Sequence, residues 1–171
     1  MNKITWVFAL LLSGLMWAQE APKVMKTKFT QEVLSQSITE LDGKTTTVGE
    51  FLKSHHGKII LIDFWASWCR DCVEALPGAT TLKNQNPEVD FVYFSLDRNE
   101  EQWKKGIEKF QISEGSNYWF QEGWKNKFNE YIDLNWIPRY LLVDQRGNIA
   151  KYYSISPTDP ELQKTIDSLK K

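Results

Sequence analysis

Cys69 and Cys72 are the only cysteines in the 171 residues, and they stand two residues apart in Cys-Arg-Asp-Cys. Such a pair can form half of a zinc site, a structural bridge or a redox dithiol. A zinc site would need two further ligands, and the only histidines, His55 and His56, are adjacent rather than spaced as in zinc modules. A structural disulfide across two intervening residues closes too small a loop to stabilise a fold much through chain entropy. Reversible exchange fits the spacing best, with one thiolate attacking a disulfide and the other thiol releasing the product. Asp63 is the third group of interest. It interrupts the apolar run Lys-Ile-Ile-Leu-Ile-Asp-Phe at 58–64, where burial disfavours its charged form and raises its pKa toward that of a proton-transfer group. The alternative is a structural acid at a strand end.

These groups have to be positioned by the elements around them. Residues 58–64 and 90–96 read as strands covered on both faces, and the 25 residues between them suffice for a helical crossover joining parallel strands. Cys69 then falls at the N-terminus of the crossover helix, where unpaired N–H groups and the helix dipole stabilise a thiolate, and Cys72 lies one turn further in. Arg70 is expected to favour the Cys69 thiolate and Asp71 to oppose it. Ile-Thr-Glu-Leu, Asp42-Gly43 and Lys-Thr-Thr-Thr predict a hairpin over 38–47. Trp103, Ile107 and Phe110, and then Trp124, Phe128 and Ile132, recur at helical spacing and predict two amphipathic helices with Trp103, Phe110, Trp124 and Phe128 in the core. Residues 139–144 and 148–153 read as a second, antiparallel hairpin, and Thr158 with Glu161 as the capping box of a closing helix. The aromatic stretch 114–123 shows no period; exposure as a protein-binding loop and burial under the helices both remain open for it. The pattern is α/β in one domain.

The composition is 42% apolar and 25% charged with a net charge of −1, which excludes a disordered or collagenous chain and gives no reason to expect nucleic acid as a partner. Residues 1–18 hold one positive charge, Lys3, and then 14 uncharged residues. That run is shorter than the ~20 a membrane-spanning helix needs, so it reads as a secretory signal, with an uncleaved anchor as the alternative. Residues 19–171 form the mature domain on this reading.

With these residues in place, the chain resembles a known family. The stretch Asp63-Phe64-Trp65-Ala66-Ser67-Trp68-Cys69-Arg70-Asp71-Cys72 resembles the active site of thioredoxin-like proteins. With the leading segment, Glu74, Pro77 and the Asp42-Gly43-Lys44 turn, the chain is similar to the TlpA/ResA family of exported thiol-disulfide oxidoreductases. The resemblance spans 38–153, and Trp136-Ile137-Pro138 ahead of the next strand completes the ordered pattern. It implies a thioredoxin-like fold, a central mixed sheet flanked by helices, with an N-terminal hairpin extension. It also implies that Cys69 attacks, Cys72 resolves, the pair forms the redox disulfide and Asp63 moves the proton of Cys72. Pro138 would be cis beside the disulfide and would shield it from metal, the Ile137 backbone would pair with an extended substrate, and Trp68 would face that substrate. The implied partners are protein disulfides and a membrane thiol donor such as a DsbD- or CcdA-like protein. No cofactor or metal is implied, and the molecule is expected to act as an exported, periplasmic monomer with reduction as its direction.

The chain departs from the family at Ala75, where many members carry a glutamate, so that Asp63 looks like its substitute, and at Arg70-Asp71, which lacks the proline many members have. Pro77 is expected to kink the active-site helix. Three other readings compete: a thiol peroxidase, disfavoured by Ala66 where those enzymes carry threonine; a non-enzymatic module binding a protein or haem partner; and a metal chaperone.

Overall fold

The computed structural model describes residues 21–113 and 115–171. Residues 1–20, which include the stretch read as a secretory signal, and Glu114 lie outside the described residues. The chain begins with a short helix α1 (Gln31–Leu34), strands β1 (Ser37–Glu40) and β2 (Thr45–Thr47), and helix α2 (Val48–Ser54). A βαβαβ run follows: β3 (Ile59–Trp65), α3 (Arg70–Gln85), β4 (Val89–Ser95), α4 (Glu100–Phe110) and β5 (Ser116–Trp119). Helix α5 (Lys127–Tyr131), strands β6 (Arg139–Val143) and β7 (Ile149–Ser154), and helix α6 (Pro160–Leu169) complete it.

The seven strands form one mixed sheet in the order β2-β1-β5-β4-β3-β6-β7. β3, β4 and β5 run parallel, and β6 joins β3 antiparallel with Asp63 opposite Tyr140. The predicted N-terminal hairpin is present. Gly43 turns it with φ of +85°, a conformation that side chains with a Cβ rarely adopt, and Asp42 accepts a hydrogen bond from the Lys44 N–H at 2.9 Å. β1 then extends the sheet by pairing antiparallel with β5.

Strand β3 is buried at every position because helices cover both faces. Ile60, Ile62 and Phe64 join Phe51 of α2 and Phe128 of α5 in one core. Leu61 joins Leu82 of α3 and Leu162 and Ile166 of α6 in the other. Since side chains alternate along a strand, Asp63 points to the same side as Leu61, the side covered by α3.

Several local expectations need correction. The stretch 114–123 contains a strand: β5 sits between β4 and β1, with Trp119 and Phe120 buried and Tyr118 half-buried. Burial rather than exposure is therefore the fate of its aromatics. Trp124 falls outside α5, because Asn126 caps that helix by accepting from the Asn129 N–H. The closing helix is capped by Asp159, not Thr158: Asp159 accepts from the Glu161 N–H at 2.9 Å, and Pro160 takes the first helical position, where its missing N–H costs nothing. Helix α3 continues through Pro77 to Gln85, so the proline does not end it. Helices α1 and α2 carried no signal strong enough to be read.

Candidate active site

Strand β3 delivers the chain to Trp65, and the loop Ala66-Ser67-Trp68 lifts it over the sheet edge to Cys69, the N-cap of α3. Cys69 and Cys72 are joined as a disulfide. Cys69 Sγ also accepts the Cys72 N–H at 3.1 Å. This donor is one of the unpaired groups of the first turn, and it supplies positive potential at the sulfur. Cys69 is 7% exposed and Cys72 2%, so attack from outside reaches Cys69 first.

The loop before β6 closes over the pair. Ile137-Pro138 is a cis peptide, and Cys69 Sγ lies 3.6 Å from the Ile137 carbonyl oxygen. A cleft of about 320 Å³ opens there, lined by Trp68, Cys69, Arg70, Trp124, Trp136 and Ile137 among others. Trp68 and Trp136 stand half-exposed at its rim, and Trp124 is half-buried. Trp124, expected in the core, packs against the core and also faces this cleft. Pro138 is buried and borders a neighbouring groove with Asp71 and Glu74.

The structure brings Cys69, Cys72, Trp68 and Ile137 together at one end of the parallel strands, the usual location of sites in α/β sheets. Arg70 is also at the cleft, but its guanidinium pairs with Glu74 at 2.8 Å on the exposed side of the helix. This pairing spends much of its charge away from Cys69. Asp71 lines both the cleft and the neighbouring groove.

Asp63 lies beneath α3, 5% exposed, with Tyr93 and Tyr140 opposite it on the two neighbouring strands. Burial raises its pKa from 3.8 to about 7. Tyr140 opposes the shift, although neither Asp63 Oδ1 nor the Tyr140 hydroxyl closes a hydrogen bond of regular geometry. No hydrogen bond joins Asp63 to Cys72 among the described residues.

Two supporting residues escaped the sequence reading. Asp97, fully buried after β4, accepts the Ser67 N–H at 3.1 Å on each oxygen, the Ser67 hydroxyl at 2.6 Å and the Ser95 hydroxyl at 2.8 Å. It fastens the loop that carries the cysteines to the end of β4. Gly106 of α4 lies against the same loop: a Cβ there would come within 2.5 Å of the Ser67 Cβ. Only the position of Asp97 just past an apolar strand could have hinted at its role. Among the described residues no cluster of three or more potential ligands could hold a metal ion.

Comparison with known proteins agrees with this geometry. Residues 57–149, more than half of the chain, match a thioredoxin-like family. The thiol-disulfide oxidoreductase ResA of Geobacillus kaustophilus is 22% identical over 123 residues, covering 70% of this chain and 67% of that protein. A Bacteroides vulgatus protein solved in solution, provisionally named a thiol-disulfide oxidoreductase, is 29% identical with a TM-score of 0.67 over 82% of this chain and 90% of its own. A secreted disulfide oxidoreductase of Mycobacterium tuberculosis shares the fold at 21% identity, with a TM-score of 0.60 over 82% of this chain and all of its own. The chain belongs to the thioredoxin-like family, and it is a thiol-disulfide oxidoreductase.

Proposed function

We propose that the protein reduces disulfides in exported polypeptides, with Cys69 as nucleophile, Cys72 as resolving thiol and Asp63 as the group that moves the proton. The observation that carries this reading is the asymmetry of the pair. Cys69 lies in an open cleft beside the carbonyl that precedes cis-Pro138, whereas Cys72 is buried and does not line that cleft.

The dithiol form starts the cycle. The Cys69 thiolate, stabilised by the Cys72 N–H and the first turn of α3, attacks one sulfur of the client disulfide. The other client sulfur leaves as a thiolate and takes a proton from solvent. The client is now held by a Cys69–client bond, with its backbone laid along Ile137 as an added strand. Asp63, whose carboxyl group is half-ionised near neutrality, accepts the Cys72 proton. The Cys72 thiolate then attacks Cys69 Sγ, the mixed bond breaks and the second client sulfur departs as thiolate. Two electrons have passed to the client, and the protein is left as the Cys69–Cys72 disulfide. Trp68 faces the client at the cleft rim, while Arg70 and Asp71 act in opposite senses on the Cys69 charge.

A third cysteine is absent from the sequence, so the disulfide must be reduced by an external dithiol. A membrane thiol donor of the DsbD or CcdA kind is the partner proposed, with no cofactor, metal or nucleic acid involved. Export rests on residues 1–18 as a signal or anchor and on the secreted relative; no helix among the described residues is long and apolar enough to cross a membrane. The protein is proposed to act in the periplasm as a monomer.

Reduction of insulin by the wild-type protein and its loss in Cys69→Ser tests the chemistry. The direction is tested by equilibration with a glutathione or dithiothreitol couple. A potential near thioredoxin's ~−270 mV supports reduction, and one near the ~−120 mV of DsbA overturns it.

A further inference from the structure

Six tryptophans lie among the described residues. Trp65, Trp103 and Trp119 are buried in the core. The three that keep exposed surface, Trp68, Trp124 and Trp136, all line the cleft that includes Cys69. Trp68 and Trp136 are each 51% exposed. Large indole surfaces left in water beside a reactive group mark a contact surface, and tryptophan is the residue most enriched where contacts carry binding energy. The cleft volume of about 320 Å³ is at the lower end of small-ligand pockets, roughly 300–1,000 Å³, so it suits one or two side chains better than a cofactor.

The charges of the cleft do not favour an ionic occupant. Arg70 is already paired with Glu74, and Asp71 is the only acid on the lining. Continuity with the disulfide determines which side chain of a client reaches the indoles. A client strand that places its cysteine against Cys69 turns the side chains at odd spacing away from the site. Those at even spacing turn the same way as the cysteine. A residue two positions away is therefore the first that can enter the cleft.

We propose that Trp68, Trp124 and Trp136 form a specificity pocket for a large apolar side chain two residues from the client's reacting cysteine. The proposal rests on the reading that Cys69 attacks extended polypeptide disulfides. Trp124 lies outside the motif residues, and Trp136 directly precedes the Ile137-Pro138 that completes them. The attack itself is the step already written: Cys69 thiolate enters, one client sulfur leaves, and no further reactant is needed.

The test uses peptide disulfides carrying a single cysteine bonded to glutathione, with glycine at all flanking positions or with phenylalanine at −2, −1, +1 or +2. The second-order rate constant with the fully reduced protein is measured for each. The expected result is a gain of roughly tenfold for phenylalanine at −2 or at +2, the size expected for burying one large apolar side chain in a half-open cleft. The ratio of phenylalanine to glycine peptide should fall to about one in Trp136→Ala and persist in Leu41→Ala, an exposed apolar residue of the β1–β2 turn. Equal rates for all peptides, or a gain at −1 or +1 only, overturn the pocket while leaving polypeptide exchange intact. Failure of every peptide, with oxidised glutathione still reacting at Cys69, overturns the underlying reading as well. Concentration-dependent dimerisation abolished by Trp136→Ala would assign the cleft to a second copy of the chain and also overturn the proposal.

Discussion

Two aspartates are buried at the active-site end of the parallel strands, and they are provided for in opposite ways. Asp97 is surrounded by donors: the Ser67 N–H and hydroxyl and the Ser95 hydroxyl all point at its two oxygens. Asp63, on the neighbouring strand, has an oxygen that closes no hydrogen bond of regular geometry, and burial pushes its pKa up to about 7. On the proposed reading of Asp63, burial alone does not make a proton carrier. A buried carboxylate with donors on both oxygens is a fastener. One without them holds its proton near neutrality and can exchange it.

The largest expected effect breaks the fastener. Asp97→Ala leaves three donors around Ser67 and Ser95 without their acceptor, at ~1–3 kcal/mol each, so a loss of about 5 kcal/mol is expected in urea unfolding. A loss below about 1 kcal/mol would remove Asp97 from its role.

Asp63→Asn should act with the opposite sign. The folded-state pKa lies above the unfolded value of 3.8, so the folded protein binds the proton more tightly. Wild-type stability therefore falls as the pH rises through the window from about 4 to 7, by about 4 kcal/mol for a shift of this size. Replacing the ionisable group should remove that slope, making the variant more stable than wild type at pH 8 relative to its standing at pH 4. Parallel stability curves would show that Asp63 is not held in the environment described.

Gly106→Ala sharpens the picture of the loop from its other side. The added methyl meets Ser67 Cβ at 2.5 Å and the Trp65 ring at 3.2 Å, and such overpacking costs roughly 1–3 kcal/mol. Thermal unfolding reads this, and a neutral substitution would mean the loop yields easily. The smallest effect is expected at the rim, where Arg70→Ala removes an exposed, solvent-screened pair with Glu74 and should leave the melting temperature unchanged in the same assay.

Much of this site was legible in the sequence. β3 and β4 are continuous apolar runs because both faces of the central sheet are covered. The cysteine spacing and the strand before it marked a redox pair, and the resemblance to the TlpA/ResA family supplied the cis Ile137-Pro138 beside it. The unread parts depend on contacts between residues far apart in the chain. Asp97 acquires its meaning from Ser67, 30 residues away. Gly106 acquires its meaning from the same loop, and β5 is recognisable only because β1 and β4 lie on either side of it. Trp124 and Trp136 follow the same rule. A tryptophan at helical spacing or beside a proline looks the same whether it fills a core or lines a cleft. What separates them is the loop geometry that brings residues 68, 124 and 136 to one opening.

The most direct test of the central claim is the rate at which Cys72 resolves a mixed disulfide preformed on Cys69, followed as a function of pH in wild type and Asp63→Asn. The expected wild-type rate rises through about pH 7 and levels off as the Asp63 carboxylate becomes available. In the variant the rise should move at least one pH unit higher, with the rate at pH 7 lower by roughly a hundredfold, within the usual range for a positioned acid–base group. Superimposable profiles in the two proteins would contradict the assignment of Asp63 as the proton carrier for Cys72.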